Sequence, residues 1–125
     1  MSNIGVVERV GVVGAGLMGS GIAEVSARAG LDVIVAESSV EAAENGYNRI
    51  KKSLDRASSS GKIGQSEADG ALTRITVTAD LQELHDRDLV IEAIIEDERA
   101  KVDLFTQLDG IVTNRSAVLA SNTSS

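Results

Sequence analysis

A glycine-rich segment near the start of the chain constrains the fold more than any other feature. Residues 14–19 read GAGLMG, which fits the pattern G-x-G-x-x-G, and they stand between an apolar run at 10–13 and a helical pattern. In a strand–turn–helix unit the first glycine permits a tight turn, the second lets the backbone approach a pyrophosphate, and the third lets the helix pack closely on the strand. The free N–H groups at the start of the helix attract the phosphates. We therefore favour a dinucleotide-binding turn over a glycine-rich turn without a ligand. The predicted contacts are Gly14, Gly16, Leu17, Met18 and Gly19.

Short apolar runs alternate with helical patterns along the whole chain. Five strands that alternate with helices predict an α/β fold, a doubly wound parallel sheet of the Rossmann type, and right-handed crossovers favour the strand order 3-2-1-4-5. The aromatic residues are Tyr47 and Phe105 only, so the core is expected to consist of Val, Ile, Leu and Ala, which suits strands buried on both faces. The predicted strands are 10–13, 33–36, 75–78, 88–91 and 117–120.

Each predicted helix carries apolar residues at helical spacing, which we expect to face the sheet. A polar turn at 58–64 and a short helix at 66–72 predict a helical hairpin inserted after the second strand. Ser38 and Glu41 have capping-box spacing at the start of the long helix, and Asp80 is a candidate cap for a short helix before the fourth strand. The expected buried positions are Met18, Ile22, Val25 and Ala29 in the first helix, Val40, Ala43, Tyr47, Ile50, Leu54 and Ala57 in the second, and Val102, Phe105, Leu108 and Val112 in a helix over 97–112.

Glu37 closes the second predicted strand. In this fold a carboxylate at that place accepts hydrogen bonds from the adenosine ribose and repels a 2′-phosphate. The next three residues, 38–40, include no arginine that would reverse this preference. NAD is therefore favoured over NADP, with FAD as the main competitor and a solvated surface carboxylate as the alternative interpretation of Glu37.

The charge and residue counts exclude several classes of function. A net charge of −7 argues against a general nucleic-acid or membrane-surface binder, and no apolar run is long enough to span a bilayer. With no cysteine and one histidine, His85, we predict no metal site. No signal-peptide pattern is visible at the N-terminus, so a cytoplasmic protein is expected.

Basic residues concentrate in the second helix and the turn that follows it. Such a patch would attract a phosphate-rich ligand, although charge alone favours a solvated helix face. The five residues are Arg49, Lys51, Lys52, Arg56 and Lys62.

Three stretches together resemble the NAD-binding domain of the 3-hydroxyacyl-CoA dehydrogenase family. They are GVVGAGLMGSGIA at 11–23, DLVIEA at 88–93 and ASNTSS at 120–125, and the last is the most specific. The similarity is strongest to members that act on 3-hydroxybutyryl-CoA. It covers essentially the whole chain but only the first domain of such an enzyme. Residues 1–125 are therefore expected to form an NAD-binding Rossmann domain that ends at the fifth strand, without the family's helical C-terminal domain.

The resemblance implies a role for individual residues. Ser60 stands where some relatives carry a lysine, which leaves open which cation contacts CoA. The implied contacts are Glu37 for the adenosine ribose, Glu96 and Lys101 for the nicotinamide end and the substrate, Ser124 for the substrate oxygen and the nicotinamide region, and Ser53, Arg56, Lys62 and Lys101 for the CoA moiety.

The function that the resemblance implies is hydride transfer between NAD and a 3-hydroxyacyl-CoA in fatty-acid or butanoate metabolism. The family's catalytic base is a histidine beyond residue 125, and His85 is expected to be a surface residue near a helix end. The chain alone is thus expected to be inactive, and the full-length form to dimerise through the C-terminal domain. The alternatives are a stand-alone NAD-binding or redox-sensing module, and the first domain of a dehydrogenase for other hydroxy acids. The segment 121–125 is expected to face cofactor and substrate, with a simple cap or turn as the alternative.

Overall fold

A five-stranded parallel sheet forms the centre of the structure, a computed structural model that describes residues 7–94, 97–113 and 116–121. Helices and a single 3₁₀ turn connect the described strands. In chain order the elements are β1 (Arg9–Val13), α1 (Leu17–Arg28), β2 (Asp32–Ala36), α2 (Val40–Ser59), α3 (Gln65–Thr73), β3 (Ile75–Thr78), the 3₁₀ turn (Leu81–Leu84), β4 (Leu89–Glu92), α4 (Glu98–Ile111) and β5 (Val118–Ser121).

The strand order is β3-β2-β1-β4-β5, with every neighbouring pair parallel, so the predicted fold and order are confirmed. Strand bounds differ from the prediction by a residue or so, and β3 matches it. The register aligns the last residues of all five strands at one carboxyl edge. These residues are Thr78, Ala36, Val13, Glu92 and Ser121.

Two apolar clusters cover the two faces of the sheet. Val12 belongs to the cluster that packs under α1, α2 and α3, whereas Val13 belongs to the cluster under the 3₁₀ turn and α4. Neighbouring strand residues point to opposite faces, which explains why adjacent valines enter different clusters. The helical hairpin formed by α2 and α3 is present as predicted, and Ile63 in its turn is buried.

The predicted buried face of α1 is confirmed only at Ile22, which is partly buried against the core, whereas Ala29 is exposed. Met18 is 58% exposed and Val25 is 66% exposed. The buried residues are instead smaller ones, Gly19, Ser20, Ala23 and Ala27. Small side chains let the helix axis approach the sheet closely, and the larger apolar residues are left on the outside.

The predicted faces of the other helices are partly right. In α2, Ile50 and Leu54 are buried as expected, but Val40 is exposed. In α4, Leu108 is buried as expected and Val102 is 63% exposed, because the helix turns Leu104, Leu108 and Ile111 toward the sheet.

Side-chain caps set three of the described helix starts, and Asp97 caps α4 by accepting from the Arg99 and Ala100 N–H groups. The N-cap of α2 is Ser39, whose Oγ accepts a hydrogen bond from the Ala42 N–H at 3.1 Å, so the predicted Ser38 cap is off by one residue. Asp80 caps the 3₁₀ turn as predicted, accepting from the Gln82 N–H at 3.0 Å.

Within the described ranges, no helix has the length and apolar character needed to cross a membrane.

Candidate functional site

The glycine loop, residues 14–19, joins the carboxyl end of β1 to α1. Gly14 has φ +103°, and a Cβ added there would lie 2.7 Å from the Ala93 carbonyl oxygen. A Cβ on Gly19 would lie 1.8 Å from the Gly14 carbonyl oxygen. Neither position accepts a side chain, which agrees with the predicted tight turn and close helix packing.

Gly16 differs from the other two glycines because a Cβ there would meet nothing within 4 Å. It is the N-cap of α1, and the first turn of that helix contains no acidic residue. The first N–H groups of a helix lack intrahelical acceptors and attract anions. The space in front of this turn therefore fits a pyrophosphate, and a side chain at Gly16 would intrude on it.

Three side chains hold the loop at Ala15. The Ala15 N–H donates to Glu37 Oε2 at 2.7 Å. The Ala15 carbonyl oxygen accepts from Ser20 Oγ at 2.9 Å and from Arg49 Nη1 at 2.6 Å. The helix α2 also packs directly on Ala15, because a Cβ added to Gly46 would lie only 2.3 Å from the Ala15 Cβ.

Glu37 directly follows β2 at the carboxyl edge and is half-buried. Its Oε1 accepts from the Ser38 N–H at 2.9 Å, while Oε2 is the acceptor for Ala15. An ionised carboxylate has about four lone-pair sites, so two N–H bonds leave capacity for hydroxyl donors. The carboxylate is thus fixed beside the glycine loop in a geometry that can accept from a ribose.

A buried ion pair lies at the ends of β4 and β5. Glu92 has 0% exposure. Its Oε1 accepts from Ser121 Oγ at 2.7 Å and lies 3.2 Å from Lys101 Nζ, and its Oε2 accepts from the Ile94 N–H at 2.6 Å. Burial raises the pKa of Glu92, but the bonds from Ser121, Ile94 and Lys101 outweigh it, so that the net pKa lies below its ordinary value.

Glu92 was not among the predicted site residues. A charged residue at the end of an apolar strand was the available signal, since such a side chain needs a partner when buried. Its bonds reach Ile94, which lies shortly before the predicted contact Glu96, and Ser121, the first residue of the predicted ligand-facing segment 121–125. The predicted contacts Glu96 and Ser124 themselves lie outside the described residues. Lys101, predicted to contact the nicotinamide end and CoA, lies at this pair with its side chain 13% exposed.

The predicted CoA contacts on α2 line one groove. It has a volume of 580 Å³ and runs between α1 and α2 into the turn after α2. Ser53, Arg56 and Lys62 all line it, together with Arg49. Lys101 stands apart from this groove, at the carboxyl end of the sheet.

His85 lies exposed at the end of the 3₁₀ turn, as predicted. Its carbonyl oxygen accepts from the Thr113 N–H at 3.0 Å. The turn leads into the amino end of β4, so His85 approaches the sheet from the edge opposite the glycine loop. Among the described residues no group of three or more His, Cys, Asp or Glu side chains is arranged to hold a metal.

Comparison with known proteins agrees with a domain that binds a dinucleotide at its glycine loop. A family model described as 3-hydroxyacyl-CoA dehydrogenase, NAD binding domain, matches residues 9–125. A 3-hydroxybutyryl-CoA dehydrogenase from Mycobacterium tuberculosis is 59% identical over 119 residues, which are 95% of this chain and 42% of the relative. The chain therefore spans about two fifths of the length of this relative.

Solved structures agree with the sequence comparison. The crystal structure of M. tuberculosis FadB2 matches with a TM-score of 0.93 at 59% identity, over 95% of this chain and 42% of that one. An (S)-3-hydroxybutyryl-CoA dehydrogenase from Ralstonia eutropha matches with a TM-score of 0.90 at 39% identity, over 96% of this chain and 42% of that one.

Proposed function

The chain belongs to the 3-hydroxyacyl-CoA dehydrogenase family, and we propose that residues 1–125 form the NAD(H)-binding domain of an enzyme that interconverts (3S)-3-hydroxyacyl-CoA and 3-oxoacyl-CoA. The observation that carries the proposal is the glycine loop, fixed by a 2.7 Å bond from the Ala15 N–H to Glu37. Matches to two 3-hydroxybutyryl-CoA dehydrogenases favour a short acyl chain.

The proposed cofactor contacts lie at the carboxyl edge of the sheet. The α1 N-terminus from Gly16 to Met18 holds the pyrophosphate, with Gly14 and Gly19 shaping the loop. Glu37 accepts from the adenosine ribose, and its charge disfavours the 2′-phosphate of NADP. When bound, NAD supplies the hydride acceptor for oxidation of the 3-hydroxyl group.

The substrate contacts lie in two places. Lys101, held by Glu92, and the segments that contain Glu96 and Ser124 meet the nicotinamide end and the acyl group. Ser53, Arg56 and Lys62 meet the phosphates of CoA in the groove between α1 and α2, and Lys101 meets the CoA thioester end.

The proton of the 3-hydroxyl group goes to a histidine that this 125-residue sequence does not supply, since His85 lies at the opposite edge of the sheet. Because the chain spans 42% of the length of the M. tuberculosis relative, we propose that this domain works as part of a longer, homodimeric enzyme. A histidine suits this transfer because its ordinary pKa lies near neutrality.

Binding measurements on the 125-residue chain test the proposal. We expect NADH fluorescence to saturate, NADPH to bind at least about tenfold more weakly, and CoA to bind in the groove. Glu37→Ala should weaken NADH binding about tenfold or more, because hydrogen bonds to charged groups contribute about 1.5–3 kcal/mol. It should also narrow the preference for NADH over NADPH.

Glu41→Ala is the matched control, because it removes a nearby exposed carboxylate at the first turn of α2. NADH binding without CoA binding would support a stand-alone NAD-binding module instead. Absence of NADH binding by a folded chain would contradict the proposed function.

A further inference from the structure

Arg49 belongs to both of the proposed ligand sites. We propose that it links them, so that occupation of the CoA groove strengthens NAD(H) binding and NAD(H) strengthens CoA binding by the same factor. The inference rests on the proposed function, because it requires that both ligands bind this chain.

The first observation is the contact between Arg49 and the glycine loop. Arg49 Nη1 donates to the Ala15 carbonyl oxygen at 2.6 Å, and the two residues are 34 positions apart in the chain. One helical turn earlier, Gly46 packs against the Ala15 Cβ. The helix α2 therefore contributes one packing contact and one hydrogen bond to the position of the loop.

The second observation is the place of Arg49 in the groove. Arg49, Ser53 and Arg56 follow at helical spacing and line the same 580 Å³ groove. A guanidinium has five N–H donors. One bond to a carbonyl oxygen leaves donors that can reach a phosphate in the groove, so a single side chain can serve both sites at once.

Linkage follows from the cost of ordering this side chain. A long arginine side chain loses rotamer freedom when it is fixed. A CoA phosphate that fixes Arg49 also fixes the Ala15 contact, so NAD(H) then binds a loop that is already ordered. The effect must be reciprocal, because coupling between two binding equilibria is symmetric.

The experiment measures the dissociation constant of NADH without and with saturating CoA, and that of CoA without and with saturating NADH. For the native chain we expect each ligand to strengthen the other roughly fivefold, at the low end of known couplings. The coupling ratio is the dissociation constant of one ligand alone divided by its value with the other ligand saturating. Arg49→Met keeps the apolar stem and removes every donor, so this coupling ratio should fall to one. Arg49→Lys keeps the charge but lacks the planar fork, so CoA should bind better than in Arg49→Met while the coupling stays reduced.

Two variants serve as controls. Arg56→Met removes a cation from the same groove and should weaken CoA while leaving the coupling ratio intact. Lys52→Met removes a cation of α2 that does not line the groove, so it should weaken CoA binding far less than Arg56→Met does and leave the coupling ratio unchanged. Circular dichroism and thermal unfolding establish that each variant is folded.

The outcomes separate this inference from the proposed function. If both ligands bind and Arg49→Met retains the native coupling ratio, or the native chain shows no coupling, the link through Arg49 is wrong and the proposed function stands. If the folded native chain binds neither NADH nor CoA, both are wrong.

Discussion

At the scale of single residues, Glu92 has the most demanding environment in the described part of the chain. It is fully buried, and its partners come from the loop after β4, from α4 and from β5. A buried carboxylate is costly unless it is paired and hydrogen-bonded, and the bonds from these three partners offset that cost. Glu92 thus fixes Lys101 and the end of β5 in a single arrangement at the carboxyl edge.

We predict that Glu92→Gln lowers the free energy of unfolding at pH 7 by about 1.5–3 kcal/mol, since the bonds that the Glu92 carboxylate accepts are then made to a neutral amide or lost. The native pKa of Glu92 lies below its unfolded value of about 4.3. The stabilisation is therefore present above that value and is lost as the pH falls through the lower native pKa. Urea unfolding between pH 7 and pH 3 should show a smaller dependence on pH in the variant than in the native chain.

Some dependence on pH should remain in Glu92→Gln. A side-chain bond from Arg87 lowers the pKa of Asp86, and the Glu8 and Arg9 N–H groups lower that of Asp88. An acid transition identical in Glu92→Gln and the native chain would contradict the role given to Glu92.

Residue chemistry was predictable where it depends on neighbours in the sequence. The glycines of the loop and Glu37 follow from a local pattern, and their positions agree with it. Glu92 was missed because Ser121 lies 29 positions away and Lys101 lies on another element. A local pattern shows that a charge ends an apolar strand, but it does not show which groups will surround that charge.

At the scale of elements, the spacing of apolar residues predicted where each helix lies in the chain better than it predicted which face of the helix is buried. The pattern placed α1, α2 and α4 correctly along the chain, yet in α1 it chose the larger apolar residues as the buried face. The buried stripe consists of Gly19, Ser20, Ala23 and Ala27, whose small size is what the close contact with β1 requires. A prediction based on the spacing of strongly hydrophobic residues misses a buried face that consists of such small residues.

A pair of substitutions in α1 tests this assignment. Val25→Lys should change the free energy of unfolding by less than about 0.5 kcal/mol, because Val25 is mostly exposed. Ala23→Val adds volume at a fully buried site and should cost about 1–3 kcal/mol. Chemical denaturation measures both. The reverse ranking would show that the predicted face was right and that the described orientation of α1 is wrong.

The packing of α2 on the glycine loop gives a second prediction for elements. Gly→Ala within a helix normally stabilises by about 1 kcal/mol. Gly46→Ala should instead destabilise by about 1–3 kcal/mol and weaken NADH binding, because the new Cβ would lie 2.3 Å from that of Ala15. Gly110→Ala in α4 is the matched control, since its Cβ would meet nothing within 4 Å. Equal stabilisation in both variants would mean that α2 does not press on the loop.

At the scale of the whole molecule, the strand order explains how distant sequence segments meet. Parallel strands ordered 3-2-1-4-5 bring the ends of all five to one edge, and ligands in such sheets bind beyond that edge. Alternating strands and helices predicted a parallel sheet, and the right-handed crossover rule limited its strand order to a few choices that include the observed one. The groove between α1 and α2 was not predictable from charge alone, because its other wall comes from α1, including Ser20 and Glu24. Only the packing of the two helices turns a basic helix face into a concave surface.

The position of the single histidine leads to a prediction for the whole chain. Reduction of acetoacetyl-CoA by NADH needs a proton donor at the 3-oxo oxygen, and a positioned donor accelerates such steps by about 10²–10⁴. His85 is exposed and belongs to the turn at the opposite edge of the sheet. We therefore expect the 125-residue chain to bind NADH but to cause no loss of NADH absorbance above background with acetoacetyl-CoA, with NADPH as the cofactor control. Turnover that disappears in His85→Ala would contradict the placement of His85, whereas turnover that survives the substitution would show that a group other than histidine delivers the proton.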